Sequence, residues 1–242
     1  MLIAPHNSSV DPLISGNLQR LRAEIASAAE AAHRTVESIT VIAVSKGHTA
    51  ERVRAAADCG VRDFGESYLQ EALPKIDSLP DLAATWHFIG RIQGNKTREI
   101  AERFDWVHGI DRLRIAERLS AQRPHYAPPL QVCLQVNIGS EIAKAGIEPA
   151  MTAQLAQCVS ALPRLQLRGL MCMLPADLSH EDNRRLFRAM RTLLEQINVS
   201  GAGLDTLSMG MSDDFSDAVR EGATLIRVGT AIFGPRTRPA NG

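Results

Sequence analysis

The sequence predicts an α/β fold, a single (β/α)8 TIM barrel with an additional N-terminal helix. Three observations predict it. Short β-rich runs alternate with amphipathic helical patterns almost without a break, eight runs have seven helical patterns between them, and the 242 residues come close to the roughly 250 that such a barrel usually takes. Length alone also allows two small domains. A doubly wound open sheet shares the alternation, but it usually has fewer strands and often opens on a glycine fingerprint that this chain lacks.

Taken in order, the chain first offers a leading helix over 10–37, with Leu18, Leu21, Ile25, Ala28 and Ala32 on one face. Strands are predicted at 39–45, 61–65, 85–89, 105–110, 130–138, 167–173, 204–209 and 224–228. Helices are predicted between them at 50–59, 67–76, 95–104, 112–121, 148–162, 180–198 and 213–221. The leading helix would complete the outer ring. The proline-rich segment 123–129, RPHYAPP, reads as the loop entering the fifth strand, and no interdomain linker, repeat or low-complexity stretch appears. The expected organisation is a tail and helix start over 1–17, one barrel domain over 18–234, and a short polar tail over 235–242.

Hydrophobic residues make up 45% of the chain, ample for a core. The 27 basic and 27 acidic side chains cancel, so the sequence carries no overall electrostatic footprint for nucleic acid or an anionic membrane. Arg184, Arg185, Arg188 and Arg191 recur at helical spacing and are expected to form a solvated helix face. Cys59, Cys133, Cys158 and Cys172 lie far apart, with no C-x-x-C and no histidine at ligand spacing. Neither a metal site nor a disulfide framework is indicated, and four buried thiols in a reducing compartment are expected. The opening MLIAPHNSSVDP has no basic segment followed by a long apolar stretch, and no apolar run reaches membrane-spanning length. A soluble, cytoplasmic protein is expected.

Chemistry enters at Lys46, which follows the apolar run of the first strand where its C-terminal end would meet the barrel rim. A primary amine there can form an imine, although a lysine after a strand also serves as a solvated end cap. Barrel enzymes place their chemistry at this rim and often bind phosphate with the loops after strands seven and eight. Strand seven runs into SMGMSDD, where a glycine permits close backbone approach and Ser212 is placed to cap a helix starting at Asp213. Strand eight ends in RVGTAIFG, which offers the N–H groups of Gly229 and Thr230 beside the first loop. Plain capping and plain turning also account for Ser212 and Gly229 taken singly.

Side-chain alternation puts Thr224, Ile226 and Val228 toward the helices, leaving Leu225, Arg227 and Gly229 facing the barrel interior or mouth. Ile42, Val44 and Lys46 share a face by the same rule. An inward arginine is costly without a partner. A ligand bearing a phosphate, an aldehyde and a ring nitrogen satisfies all three groups, and pyridoxal 5′-phosphate (PLP) is such a ligand.

The blocks VIAVSK (41–46), RDFGESYLQE (62–71), WHFIGRIQGNK (86–96), VNIGSEIAKAG (136–146), LSMGMSDDFSDAV (207–219) and GATLIRVGTAIFG (222–234) resemble, in order and spacing, those of the pyridoxal phosphate homeostasis protein family. These small PLP-binding proteins are similar to the barrel domain of alanine racemase, and the match runs from about residue 18 to 234. The resemblance implies that Lys46 is the PLP lysine, that Ser212, Gly229 and Thr230 hold the phosphate, and that Arg227 faces the pyridine nitrogen. His87 and Asn95 fall in a barrel-mouth block and are carried over as cofactor-binding candidates. Ser67 stands where the family usually has Asn, and Gly47 and His48 stand where it commonly has Thr-Lys, so a contact from the Ser67 loop to the cofactor is of shorter reach.

Other constellations are weaker. GRIQGNKT (90–97) imitates a P-loop, but Gly94 falls one position early and Asn95 directly precedes the lysine. A histidine such as His87 inside a strand is more often a satisfied barrel residue than a catalyst. Lys144 is a second amine expected on the same rim, either solvated or a transient acceptor of PLP. Three functional classes compete: a PLP carrier or buffer that delivers the cofactor to apo-enzymes, a PLP-dependent amino-acid racemase, and a phosphate-ligand barrel without PLP. A two-base racemase of the alanine racemase kind needs a residue from an additional domain and partner subunit, and this chain has no sequence left for that domain. The expectation is a monomeric, non-catalytic carrier with no catalytic residue and no metal.

Overall fold

The computed structural model describes residues 11–139 and 145–235. Eight parallel strands close on themselves in chain order: β1 (Thr40–Val44), β2 (Asp63–Glu66), β3 (Thr85–Phe88), β4 (Trp106–Ile110), β5 (Leu130–Gln135), β6 (Leu165–Met171), β7 (Thr206–Ser208) and β8 (Leu225–Val228). The seam pairs Thr40 with Leu225 and Ala43 with Val228, so no sheet edge is left to be covered. Among the described residues the helices are α1 (Pro12–Ala31), α2 (Ala50–Asp58), α3 (Leu69–Ser78), α4 (Thr97–Arg103), α5 (Leu113–Gln122), α6 (Pro149–Ser160), α7 (His180–Asn198), α8 (Phe215–Arg220) and α9 (Thr230–Phe233). The predicted barrel with its leading helix is the observed architecture.

Strand alternation builds two layers. Ala43, Phe64, Phe88, Leu134, Ile226 and Val228 join the outer apolar cluster with Ile14, Leu18 and Leu21 of α1. Burial of each large aliphatic side chain there contributes about 1.5–3 kcal/mol. Ile42, Val44, Cys133 and Leu225 are buried outside that cluster, in the barrel interior. His87, His108, Ser208 and Arg227 are there too, none more than 4% exposed. The alternation expected for β8 therefore holds at Ile226, Arg227 and Val228.

The leading helix differs from its predicted span of 10–37. It starts on Asp11, whose carboxylate accepts from the Leu13 and Ile14 amides, with Pro12 in the first turn. It stops at Ala31 because His33 takes a left-handed φ of 53°, and a 3₁₀ turn at Val36–Ser38 then delivers the chain to β1. Arg34 donates to the Val219 carbonyl at 2.8 Å and Asn17 to the Ile232 carbonyl at 2.8 Å, which tie this helix to α8 and α9. Elsewhere boundaries move by a few residues. α3 begins at Leu69 and leaves Ser67 in a loop, α4 follows a 3₁₀ turn at Gly94–Lys96, β5 ends at Gln135, and β6 begins at Leu165.

The basic run on α7 forms a solvent-exposed face, as expected, and it also pairs with acidic groups of α8 and its cap. Arg188 chelates Glu221 at 2.7 and 3.1 Å, Arg191 lies 3.6 Å from the same carboxylate, and Arg184 lies 3.8 Å from Asp217. Glu221 and Asp217 are buried and need those charges, so the arginines dock α7 onto α8. Arg185 pairs with Asp182 within α7. The expectation of four buried thiols is corrected: Cys133 and Cys172 are buried, Cys59 is half-buried and Cys158 is exposed on α6. Among the described residues all four are unpaired, no cluster suits a metal ion, and no helix is long and apolar enough to cross a membrane.

Candidate functional site

The corner after β1 is held from below. Ser45 donates its hydroxyl to Glu66 Oε1 at 2.7 Å, and Lys75 Nζ reaches the same oxygen at 2.5 Å and the Ser45 carbonyl at 2.7 Å. The Gly47 amide donates to Glu71 at 2.8 Å, and Gly47 itself turns the chain at φ 75°. Lys46 stands between these two anchored residues. Burial pushes the Glu66 carboxyl above its ordinary value, opposed by Lys75 and Ser45. Glu66 Oε2 is buried without a partner.

The loop after β7 turns at Gly210, with φ 94°, where a Cβ would stand 2.6 Å from the Ala218 Cβ. Only glycine fits both the angle and the space. Asp214 accepts from the Met211 amide at 2.5 Å and occupies the cap position of α8, which starts at Phe215. The predicted capping role of Ser212 is therefore corrected. The helix begins two residues later than expected, and Ser212 lines a cavity. After β8, Gly229 packs against Val44, where an added Cβ would lie 3.2 Å from the Val44 carbonyl oxygen. The amides of Ser212, Gly229 and Thr230 have no backbone partner among the described residues.

These corners meet at one cavity of about 500 Å³ at the C-terminal mouth of the barrel, lined by Lys46, Ser67, Ser212, Arg227, Gly229 and Thr230. Six of the eight residues expected at the site from sequence are thus brought together. Arg227 is anchored by Nη1 donating to the Ser208 hydroxyl and Nη2 to the Cys172 carbonyl, each at 2.8 Å. Its burial lowers its pKa from the usual guanidinium value, an effect offset in part by Cys172 and Asp214.

His87 and Asn95 are not at this mouth. The His87 ring is 1% exposed inside the barrel, between His108 and Asp63, the first residue of β2. Asn95 sits in the 3₁₀ turn before α4 and lines a separate outer cavity of about 450 Å³ with Arg112, Arg114 and Arg118. Lys144 lies outside the described residues. Sequence reasoning missed His48, Tyr68, Ile89, Arg91, Met173, Met211 and Asp213 as lining residues. Most lie within a few residues of a strand's C-terminal end, and that position is the signal that would have found them.

A family model for the alanine racemase N-terminal domain matches residues 16–237. A protein of Pseudomonas aeruginosa called pyridoxal phosphate homeostasis protein is 52% identical over 223 residues, which covers 92% of this chain and 96% of the relative. An Escherichia coli protein of the same name is 46% identical over 226 residues, 92% of this chain and 97% of the relative. The chain belongs to the pyridoxal phosphate homeostasis protein family. A solved structure of PipY from Synechococcus elongatus with PLP bound is 38% identical, with a TM-score of 0.81 over 91% of this chain and all of that one. An alanine racemase of Clostridium difficile shares the fold at 13% identity, with a TM-score of 0.71 over 91% of this chain but 56% of the racemase.

Proposed function

We propose that the mouth cavity binds pyridoxal 5′-phosphate and that the protein is a non-catalytic carrier, buffering the cofactor or delivering it to apo-enzymes. The observation that carries this is the convergence of Lys46, Arg227 and the Ser212, Gly229 and Thr230 loops on one cavity. The residues fit the group. Backbone amides without backbone partners from two adjacent loops suit a phosphate dianion, and the Gly229 contact with Val44 keeps that backbone close to β1. When bound, PLP supplies an aldehyde able to condense with a lysine as a Schiff base, and Lys46 is the lysine that lines this cavity among the described residues.

Several features support a carrier rather than a racemase. A guanidinium facing a pyridine nitrogen opposes its protonation and weakens the ring as an electron sink. Tyr68 also lines the cavity, but it is 57% exposed and so is not held as a second acid or base opposite Lys46. The relatives' name points the same way. The proposal includes residues 18–234 as the ligand domain and a monomer working in the cytoplasm, a setting consistent with its unpaired thiols.

Borohydride reduction of the PLP-loaded protein followed by peptide mapping tests the site. A pyridoxyl label on the peptide containing Lys46, and loss of the visible band in Lys46→Ala, are expected. A label confined to other lysines overturns the assignment.

A further inference from the structure

Inside the barrel, five side chains from five strands form one line of hydrogen bonds. Asp63 Oδ1 lies 3.0 Å from His87 Nε2, and His87 Nδ1 lies 3.0 Å from His108 Nε2. His108 Nδ1 lies 2.8 Å from Ser208 Oγ, which accepts from Arg227 Nη1 at 2.8 Å. Asp63 opens β2 at the N-terminal end of the barrel and Arg227 lines the cavity at the other end, so the line runs the length of the barrel interior.

The chemistry of the two ends sets the direction of the end bonds, and one ordering then satisfies every group between them. A guanidinium only donates and a carboxylate only accepts. Ser208 accepts from Arg227 and has one hydrogen to give, to His108 Nδ1. The His108 proton then sits on Nε2 and is donated to His87 Nδ1, and His87 gives its own Nε2–H to Asp63. Each hydrogen is used once in this arrangement. Burial, first, holds the His108 pKa well below the ordinary histidine value, which agrees with a neutral His108 in this line.

An apolar interior would have filled this space at lower cost, since bulky aliphatic residues dominate such barrels and a buried polar network is tolerated only when fully satisfied. Asp63, His87, His108 and Ser208 do not line the cavity, so any influence they have on a ligand passes through Arg227. We propose that these four are positioning residues, a one-way relay that holds the Arg227 guanidinium in the orientation the cavity requires. The inference rests on the proposal that Arg227 faces the ring of PLP.

Nitrogen-15 NMR of imidazole-labelled protein without PLP tests the relay directly, with signals assigned through His87→Gln and His108→Gln. An Nε2–H donating and an Nδ1 accepting are expected at each histidine, and an Nδ1–H at either one overturns the relay. Ser208→Ala cuts one link without touching the cavity. It should abolish the single tautomer of His108, weaken PLP binding about tenfold, and shift the absorption band of the bound cofactor in the direction that Arg227→Lys shifts it. If Arg227→Lys weakens binding while Ser208→Ala leaves binding and the His108 signal unchanged, the positioning role is wrong. If the tautomers are as expected but neither variant alters PLP binding, the placing of Arg227 against the cofactor is wrong, and the purpose given to the relay falls with it.

Discussion

Lys75 donates a hydrogen bond of 2.7 Å to the carbonyl of Ser45, the residue immediately before Lys46. One lysine, buried and paired with Glu66 at 2.5 Å, thus fixes the backbone from which the lysine on the cavity projects. Lys75→Met should leave the Glu66 carboxylate buried without its charge partner and destabilise the protein by about 3–5 kcal/mol, read from chemical denaturation. Less than about 1 kcal/mol would mean that the pair does not hold the corner.

The Glu66 carboxyl has a folded pKa raised above its ordinary value, first by burial. Its protonated form is therefore favoured by folding. That contribution is fully present below the unfolded pKa and is lost as pH rises through the folded value. Stability relative to Glu66→Gln should fall as pH is raised from about 4, and a difference that stays flat or grows with pH would refute the direction of the shift.

The phosphate recognition proposed for the loops after β7 and β8 makes a charge test possible. Ser212→Asp places a carboxylate among the amides proposed to meet the dianion, and should weaken PLP binding by about tenfold or more while changing pyridoxal binding far less. Titration of both ligands by absorbance or fluorescence decides it. Equal losses would remove the phosphate from that corner.

Gly210 and Gly201 separate angle from space. Both have positive φ, 94° and 82°, but an added Cβ strikes Ala218 and Phe215 at the first and meets nothing within 4 Å at the second. Gly201→Ala should cost about 1–2 kcal/mol from backbone strain alone. Gly210→Ala should cost about 1–3 kcal/mol more and should weaken PLP binding by displacing the loop that carries Ser212. Denaturation midpoints and PLP titrations of the two variants give the comparison.

Incubation with L-alanine and other amino acids tests the functional class. The PLP-loaded protein should generate no D-isomer at enzyme-like rates on chiral chromatography, yet should reactivate an apo-PLP enzyme beyond what the same free PLP achieves. D-alanine that disappears in Lys46→Ala would favour a racemase.

Much of this was legible in the sequence because it depends on local periodicity. The helix predicted at 180–198 is found at those bounds, closed at its start by Ser179, and the parity of β8 correctly sent Arg227 inward. What failed depended on tertiary geometry. The side-chain pattern of α1 runs on through Ala32, but the chain must turn back to reach β1, and His33 turns it. Ser212 has the chemistry of a cap, but Asp214, two residues on, holds that position. The interior relay was invisible because its contacts join residues 24 and 100 positions apart, His87 to Asp63 and His108 to Ser208. No spacing rule links such pairs before the strand order is known.

The β1–β8 seam also governs when the protein becomes competent during its synthesis. Lys46 leaves the ribosome early, whereas Arg227, Gly229 and Thr230 come about 180 residues later, and the contacts of α1 with α8 and α9 wait for those helices. Chains grow at about 5–20 residues per second, so a nascent chain carries its lysine for roughly ten seconds or more before the opposite wall of the cavity exists. An incomplete translation product therefore has the amine but none of the loops proposed to hold the phosphate, so on that proposal it would compete poorly for the cofactor.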